Sequence, residues 1–176
     1  MVVVVALVLA ALFGAGDQYL GSLPWHPWAW DISLLSAPWL VLAFLAGCTQ
    51  RDPRRAVLLG LGCTLAALAG YGLMTLSPFE NAHLNLRTVT AFGRSETPVI
   101  VGGLFTGPLF GWFGHRWRTR RAWIGAFVTA AALFLEPAAR IAAGNGIRIR
   151  AVSIAEVAAG IAMAMYVVAG RRRSGA

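Results

Sequence analysis

Long apolar runs, separated by short polar or arginine-rich punctuation, recur six times along this chain. Each approaches the roughly 20 residues that a helix needs to cross a ~30 Å hydrocarbon core. The first extends from about Val2 to Leu20 and carries Asp17 near its far end. A loop rich in tryptophan and proline follows, Gly21 to Ser33. The second run has Ser36 as N-cap before Ala37-Pro38-Trp39 and ends near Gln50. Asp52-Pro53 reads as N-cap and first helical position of the third, which extends to about Ser77. A polar loop, Pro78 to Glu96, separates the halves. Thr97-Pro98 opens the fourth run by the same logic, and it closes near Gly114. The fifth covers about Ala122 to Arg140 and the sixth about Ile154 to Gly170. The pattern predicts one all-α domain over residues 1–176, a polytopic bundle of six transmembrane helices at about 2–20, 36–50, 53–77, 98–114, 122–140 and 154–170.

Composition excludes a water-soluble globule. The chain is 58% hydrophobic and 12% charged, whereas soluble domains carry about 25% charged residues. In a soluble protein a net charge of +8 would point to nucleic acid. Here the fifteen basic residues are all arginine, and most cluster between apolar runs, as at Arg51, Arg54 and Arg55, at Arg116 to Arg121, and at Arg171 to Arg173. That is the distribution of juxtamembrane anchors, so the expected partner is the lipid bilayer and not nucleic acid. With the N-terminus inside, ten arginines are cytoplasmic and five (Arg87, Arg94, Arg140, Arg148, Arg150) external, which favours N-in and C-in. Trp25, Trp28, Trp30 and Trp39 then fall at the outer boundary, and Trp112, Trp117 and Trp123 at the inner one, as aromatic belts do. The first run lacks the positive flank of a signal peptide and reads as an uncleaved span. Cys48 and Cys63 lie on the reducing side without metal-ligand spacing, which suits buried structural thiols.

Two stripes of small residues predict close helix contacts: Gly103, Gly107 and Gly111 in the fourth run, and Gly62, Ala66 and Gly70 in the third. Pro108 and Pro137 each remove a backbone hydrogen bond within a run. Glycine-rich, proline-bearing helices occur in transporters and in ordinary membrane packing alike.

Ionisable groups inside spans are costly and ask for a reason. Asp17, Glu136, Arg140 and Glu156 all fall within about two helical turns of the outer helix ends. Glu136 and Arg140 have the i,i+4 spacing of a helical ion pair. Together the four residues form a candidate ligand-binding pocket for a small solute near the outer face. Structural roles compete with that reading: Ser153-x-x-Glu156 fits a capping box, Asp17 suits the water interface, and Arg140 can snorkel to headgroups. Arg148 and Arg150 run against the charge bias, either to draw an anionic ligand or to meet lipid phosphate. His26, His83 and His115 are scattered, and no cofactor motif, metal-ligand set or nucleophile–base pair appears.

The stretch Ser36-Ala37-Pro38-Trp39-Leu40-Val41-Leu42-Ala43-Phe44-Leu45-Ala46-Gly47, the arginine-rich turn after it, Ala69-Gly70-Tyr71 and Gly107-Pro108-Leu109-Phe110-Gly111 resemble a family of small actinobacterial membrane proteins of unknown function. The resemblance implies six spans and transfers no activity. The all-arginine, alanine-rich composition also looks like a high-GC bacterial genome, which points to a bacterial plasma membrane. A looser likeness is to the substrate-binding components of energy-coupling-factor vitamin transporters, which are also compact six-helix proteins. Glu136-x-x-x-Arg140 and Phe79-x-x-x-His83 look like fragments of the CAAX-type membrane protease motifs. The second glutamate is missing, the order is reversed and His83 falls in a loop, so no catalytic residue is assigned. The functions left are solute binding or transport through the polar cluster, and a structural or partner-binding subunit joined to another membrane protein.

Overall fold

Proline marks several of the helix starts, because its fixed φ and missing N–H suit the first helical turn. In a computed structural model, which describes residues 1–23, 25–80, 85–120, 122–142, 144 and 150–174, Pro27, Pro38 and Pro53 each stand in a first turn. The described residues form eight α-helices and no strand. In chain order these are α1 (Val2–Gly21), α2 (Pro27–Ser33), α3 (Ala37–Cys48), α4 (Pro53–Thr75), α5 (Leu86–Ser95), α6 (Thr97–Arg120), α7 (Trp123–Ala142) and α8 (Arg150–Ser174), with a single 3-10 turn at Pro78–Glu80. Three of them, α1, α4 and α7, are long and apolar enough to cross a membrane, and the pair α2–α3, bent by 53°, passes the same test as one broken segment.

Two segments read as loops are helical. The Trp/Pro-rich stretch contains α2, which enters α3 through the bend at Leu34 to Ser36. The central polar stretch contains α5, opened by a reciprocal capping box: the Asn85 side chain accepts from the Thr88 N–H at 2.9 Å, and the Asn85 N–H donates to Thr88 Oγ1 at 3.1 Å. None of the residues of α5 is buried. The boundaries move too. Helix α6 starts at Thr97 itself, so Thr97 is not an N-cap, and it runs on to Arg120. Helix α8 begins at Arg150, which places Glu156 well inside the helix and removes it from any capping box. The Asp52 cap is present, with its carboxylate accepting the Arg55 N–H at 2.9 Å.

Glycine contacts organise the packing. Leu7 lies against Gly62 and Gly14 against Ala67, so α1 runs parallel to α4. Gly103 meets Thr64, Gly107 meets Gly60, and Gly111 meets Ala56, so α6 runs antiparallel to α4. Gly47 of α3 lies on the Gly111 backbone, and Gly114 on that of Phe44. Both small-residue stripes are thus consumed inside the bundle. At the far end Arg118 donates to the Cys48 carbonyl at 2.8 Å and the His115 ring lies 3.1 Å from the Gln50 carbonyl, so α6 closes the C-terminus of α3. There Trp117 is buried, edge-on to Trp123 at 5.1 Å and to Tyr166 of α8 at 6.5 Å. Gly160 of α8 packs on Ala130 and Phe134 of α7, and Glu156 faces Glu136, so those two helices run antiparallel.

A Cβ on Gly47 would overlap the Gly111 carbonyl, whereas one on Gly16 meets nothing within 4 Å. Gly47→Ala is therefore expected to destabilise by about 1–3 kcal/mol, as overpacking does. Gly16→Ala is expected to be neutral or stabilising by up to about 1 kcal/mol through helix propensity. Thermal unfolding of both variants in detergent checks the ordering, and equal effects would refute it.

Candidate functional site

The bend between α2 and α3 leaves the first N–H groups of α3 without helical partners, and such donors need an acceptor. Ser36 stands at the N-cap but makes no side-chain cap bond. The acceptor comes from α7, a hundred residues on: Ser36 N–H donates to Glu136 Oε1 and Ala37 N–H to Oε2, each at 2.6 Å. Arg140, one turn along α7, donates to Glu136 Oε1 through Nη2 at 2.7 Å and Nε at 2.9 Å, and reaches Ser36 Oγ at 3.4 Å. One carboxylate therefore caps α3 and pairs with the arginine. Both side chains are largely buried, at 11% and 16% exposed, where such charge-assisted bonds are strong.

Glu156 of α8 is packed behind them, 4% exposed. No donor among the described residues reaches either of its oxygens, and the groups facing it are the Glu136 carboxylate and the Arg140 guanidinium. Three of the four candidate residues thus come together as one acid–arginine–acid cluster on α7 and α8, against the start of α3.

Asp17 does not join them. It lies on the other side of α3, in a cavity of about 470 Å³ bounded by α1, α3, α4 and α6. Asp17 is 9% exposed, and the Trp39 side chain faces its carboxylate. The cavity extends from Thr64 and Gly107 near mid-bundle to Ser33, Leu34 and Glu96 at the helix ends. Its floor is where the backbones of Gly60, Gly107 and Gly111 meet. Ser36 lines both this cavity and a groove of about 500 Å³ beside Glu136 and Arg140, so the start of α3 is a wall shared by the two.

Sequence reasoning missed the aromatic side of the cavity. Trp39, expected in an outer belt with Trp25, Trp28 and Trp30, instead faces inward. It stacks edge-on with Phe13 at 5.5 Å and Tyr71 at 6.3 Å, and Tyr71 in turn meets Phe92 of α5 at 6.2 Å. Trp25, Trp28 and Trp30 are exposed as expected. An aromatic near the start of an apolar run carries no local sign of which way it faces, and Phe92 falls in the stretch read as a polar loop. Of the cysteines, Cys63 is wholly buried and the Cys48 thiol donates to the Gly114 carbonyl at 3.3 Å. No group of three or more histidine, cysteine or acidic side chains among the described residues is placed to hold a metal. His83, Arg148 and the side chain of Arg150 lie outside the described residues.

The two glutamates are expected to respond oppositely to amidation. Glu136→Gln removes the charge that balances Arg140 and one acceptor of the α3 cap, and should destabilise by about 3 kcal/mol, as breaking a buried pair does. Glu156→Gln replaces a carboxylate that no donor reaches with an amide that can donate to Glu136, and should be neutral or stabilising. Unfolding temperatures in detergent decide this; a Glu156→Gln loss as large as that of Glu136→Gln would contradict the assignment. Compared with protein-family models, curated proteins and solved structures, the chain matches none.

Proposed function

We propose that this chain is a multi-pass protein of a bacterial plasma membrane that binds a small solute in the Asp17 cavity and passes it across the bilayer. In this reading α1, the broken pair α2–α3, α4, α6, α7 and α8 make six crossings. Helices α6 and α8, at 24 and 25 residues, are each about 36 Å long or more at 1.5 Å per residue. Alternation of the helices supports a common cytoplasmic side for both termini: the ends bearing Arg54, Arg55, Arg116, Arg118 and Arg120 gather opposite the cavity mouth. The chain takes its place among the small actinobacterial membrane proteins that its motifs resemble.

The observation that carries the proposal is the buried Asp17 carboxylate facing a cavity of about 470 Å³. Ligand sites are typically concave, mostly apolar and furnished with a few polar groups, in the range of about 300–1,000 Å³. An ionisable side chain buried within a span is costly and points first to a functional site. The cluster of Glu136, Arg140 and Glu156 supports this site indirectly, by holding the start of α3 that walls it.

One observation favours the subunit reading. Between α7 and α8 an apolar groove of about 700 Å³ opens sideways, floored by Ala130, Ala131, Gly160 and Ala164, and small residues of this kind admit a neighbouring helix.

A thermal-shift screen of the purified protein against amino acids, amines, vitamins and organic acids separates the two. A ligand specific for the native state raises stability by about 2.7 kcal/mol at a hundredfold excess over its Kd. The cavity reading expects at least one class to shift the wild type and to lose that effect in Thr106→Trp, which fills the cavity. A silent screen, with an Ala131→Leu variant on the exposed side of the groove that loses self-association or a co-purifying membrane partner, would favour the subunit instead.

A further inference from the structure

We infer that the Asp17 cavity selects organic cations, namely amines or quaternary ammonium groups carried on an apolar or aromatic body. The inference rests on the solute-binding reading above and names its substrate class. Three features of the wall converge on it.

The first is charge. Asp17 and Glu96 are the carboxylic acids among the described residues lining the cavity, and no arginine or histidine shares that wall. Arg140 lies across α3 and is engaged by Glu136. In a chain of net charge +8, an acid-only wall is a local reversal of the protein's overall sign. An anion entering there would meet two carboxylates and no counter-charge.

The second is the unfinished coordination of Asp17. A carboxylate offers about four lone-pair sites, and the side chain facing it here is that of Trp39, which has a single N–H to give. A buried charge is stable when paired, and a bound ammonium would supply the partner that the wall lacks.

The third is the aromatic surface. Trp39 and Tyr71 both line the cavity, with ring centroids 6.3 Å apart and planes at 67°. Trp and Tyr faces attract ammonium groups within about 6 Å of the ring centroid, more strongly when water is excluded. Leu40, Leu68 and Val99 complete an apolar lining, which suits a hydrophobic body behind the charge. A bare inorganic cation would leave most of about 470 Å³ unfilled.

The test reads the sign of the cavity directly. In full-length protein with Cys48→Ala and Cys63→Ala, a single thiol is introduced at the cavity wall by Thr106→Cys. Its modification is timed with 2-(trimethylammonio)ethyl methanethiosulfonate and with 2-sulfonatoethyl methanethiosulfonate, each rate divided by the same reagent's rate on free cysteine. The cationic reagent is expected to be favoured by about tenfold or more, equivalent to about 1.4 kcal/mol. Asp17→Asn should bring the ratio towards one and Glu96→Gln should lower it part way, so the second variant carries the test if the first fails to fold. Tryptamine should slow the cationic reagent, whereas indole-3-propionate should not. Equal normalised rates, or protection by the anion as strong as by the amine, would overturn the cation assignment while leaving a solute cavity in place. A thiol that neither reagent reaches would overturn both, because the cavity would then be closed.

Discussion

Three helix backbones meet at van der Waals contact where Gly47, Gly60 and Gly111 present no side chain, and the rest of the structure is arranged around that junction. In lipid there is no hydrophobic gain from helix association, so close approach of backbones is itself the source of adhesion. The junction brings α3, α4 and α6 together towards the arginine-bearing end. Towards the other end α3 and α4 present Trp39, Leu68 and Tyr71, which line the cavity opposite Gly102 and Gly103 of α6. The cavity is the result: one half of the three-helix contact is closed by backbone, and the other is bordered by large side chains that leave it open.

A second constraint acts at the break between α2 and α3. A bilayer supplies no water to satisfy exposed backbone donors, so an interrupted helix must find acceptors within the protein. Glu136 supplies both of them, Arg140 balances its charge, and Glu156 is buried against the pair. Helix dipole, ion pair and backbone donors are thus tied to a single carboxylate. The arrangement uses the cluster's charge to fix one wall of the Asp17 cavity, which leaves Asp17 itself outside that network.

Much of this architecture was legible in the sequence, because long apolar runs and proline-marked starts are local signals. The Asp52 cap and the use of Gly103, Gly107 and Gly111 in close packing followed from spacing alone. The i,i+4 pairing of Glu136 with Arg140 did too. What escaped was non-local. Ser36 looked like a self-sufficient cap, yet its helix is capped from α7. Glu156 looked like the third position of a capping box because the helix start was placed four residues late. The Asn85–Thr88 box that opens α5 was readable but was obscured by the polarity of its surroundings. Grouping Asp17 with the other ionisable residues by depth alone was insufficient, since depth does not say on which side of α3 a side chain lies.

The capping of α3 by α7 also bears on the order in which the chain can assemble. During synthesis α3 is made well before α7, and until Glu136 arrives the N–H groups of Ser36 and Ala37 have no carboxylate to meet. In the membrane-spanning reading proposed above, where each unsatisfied group in hydrocarbon costs several kcal/mol, the bend waits near the headgroup region, where water serves as acceptor. Settling of the α2–α3 segment to its final depth is then coupled to insertion of α7, and the last third of the chain acts as the latch that completes the first.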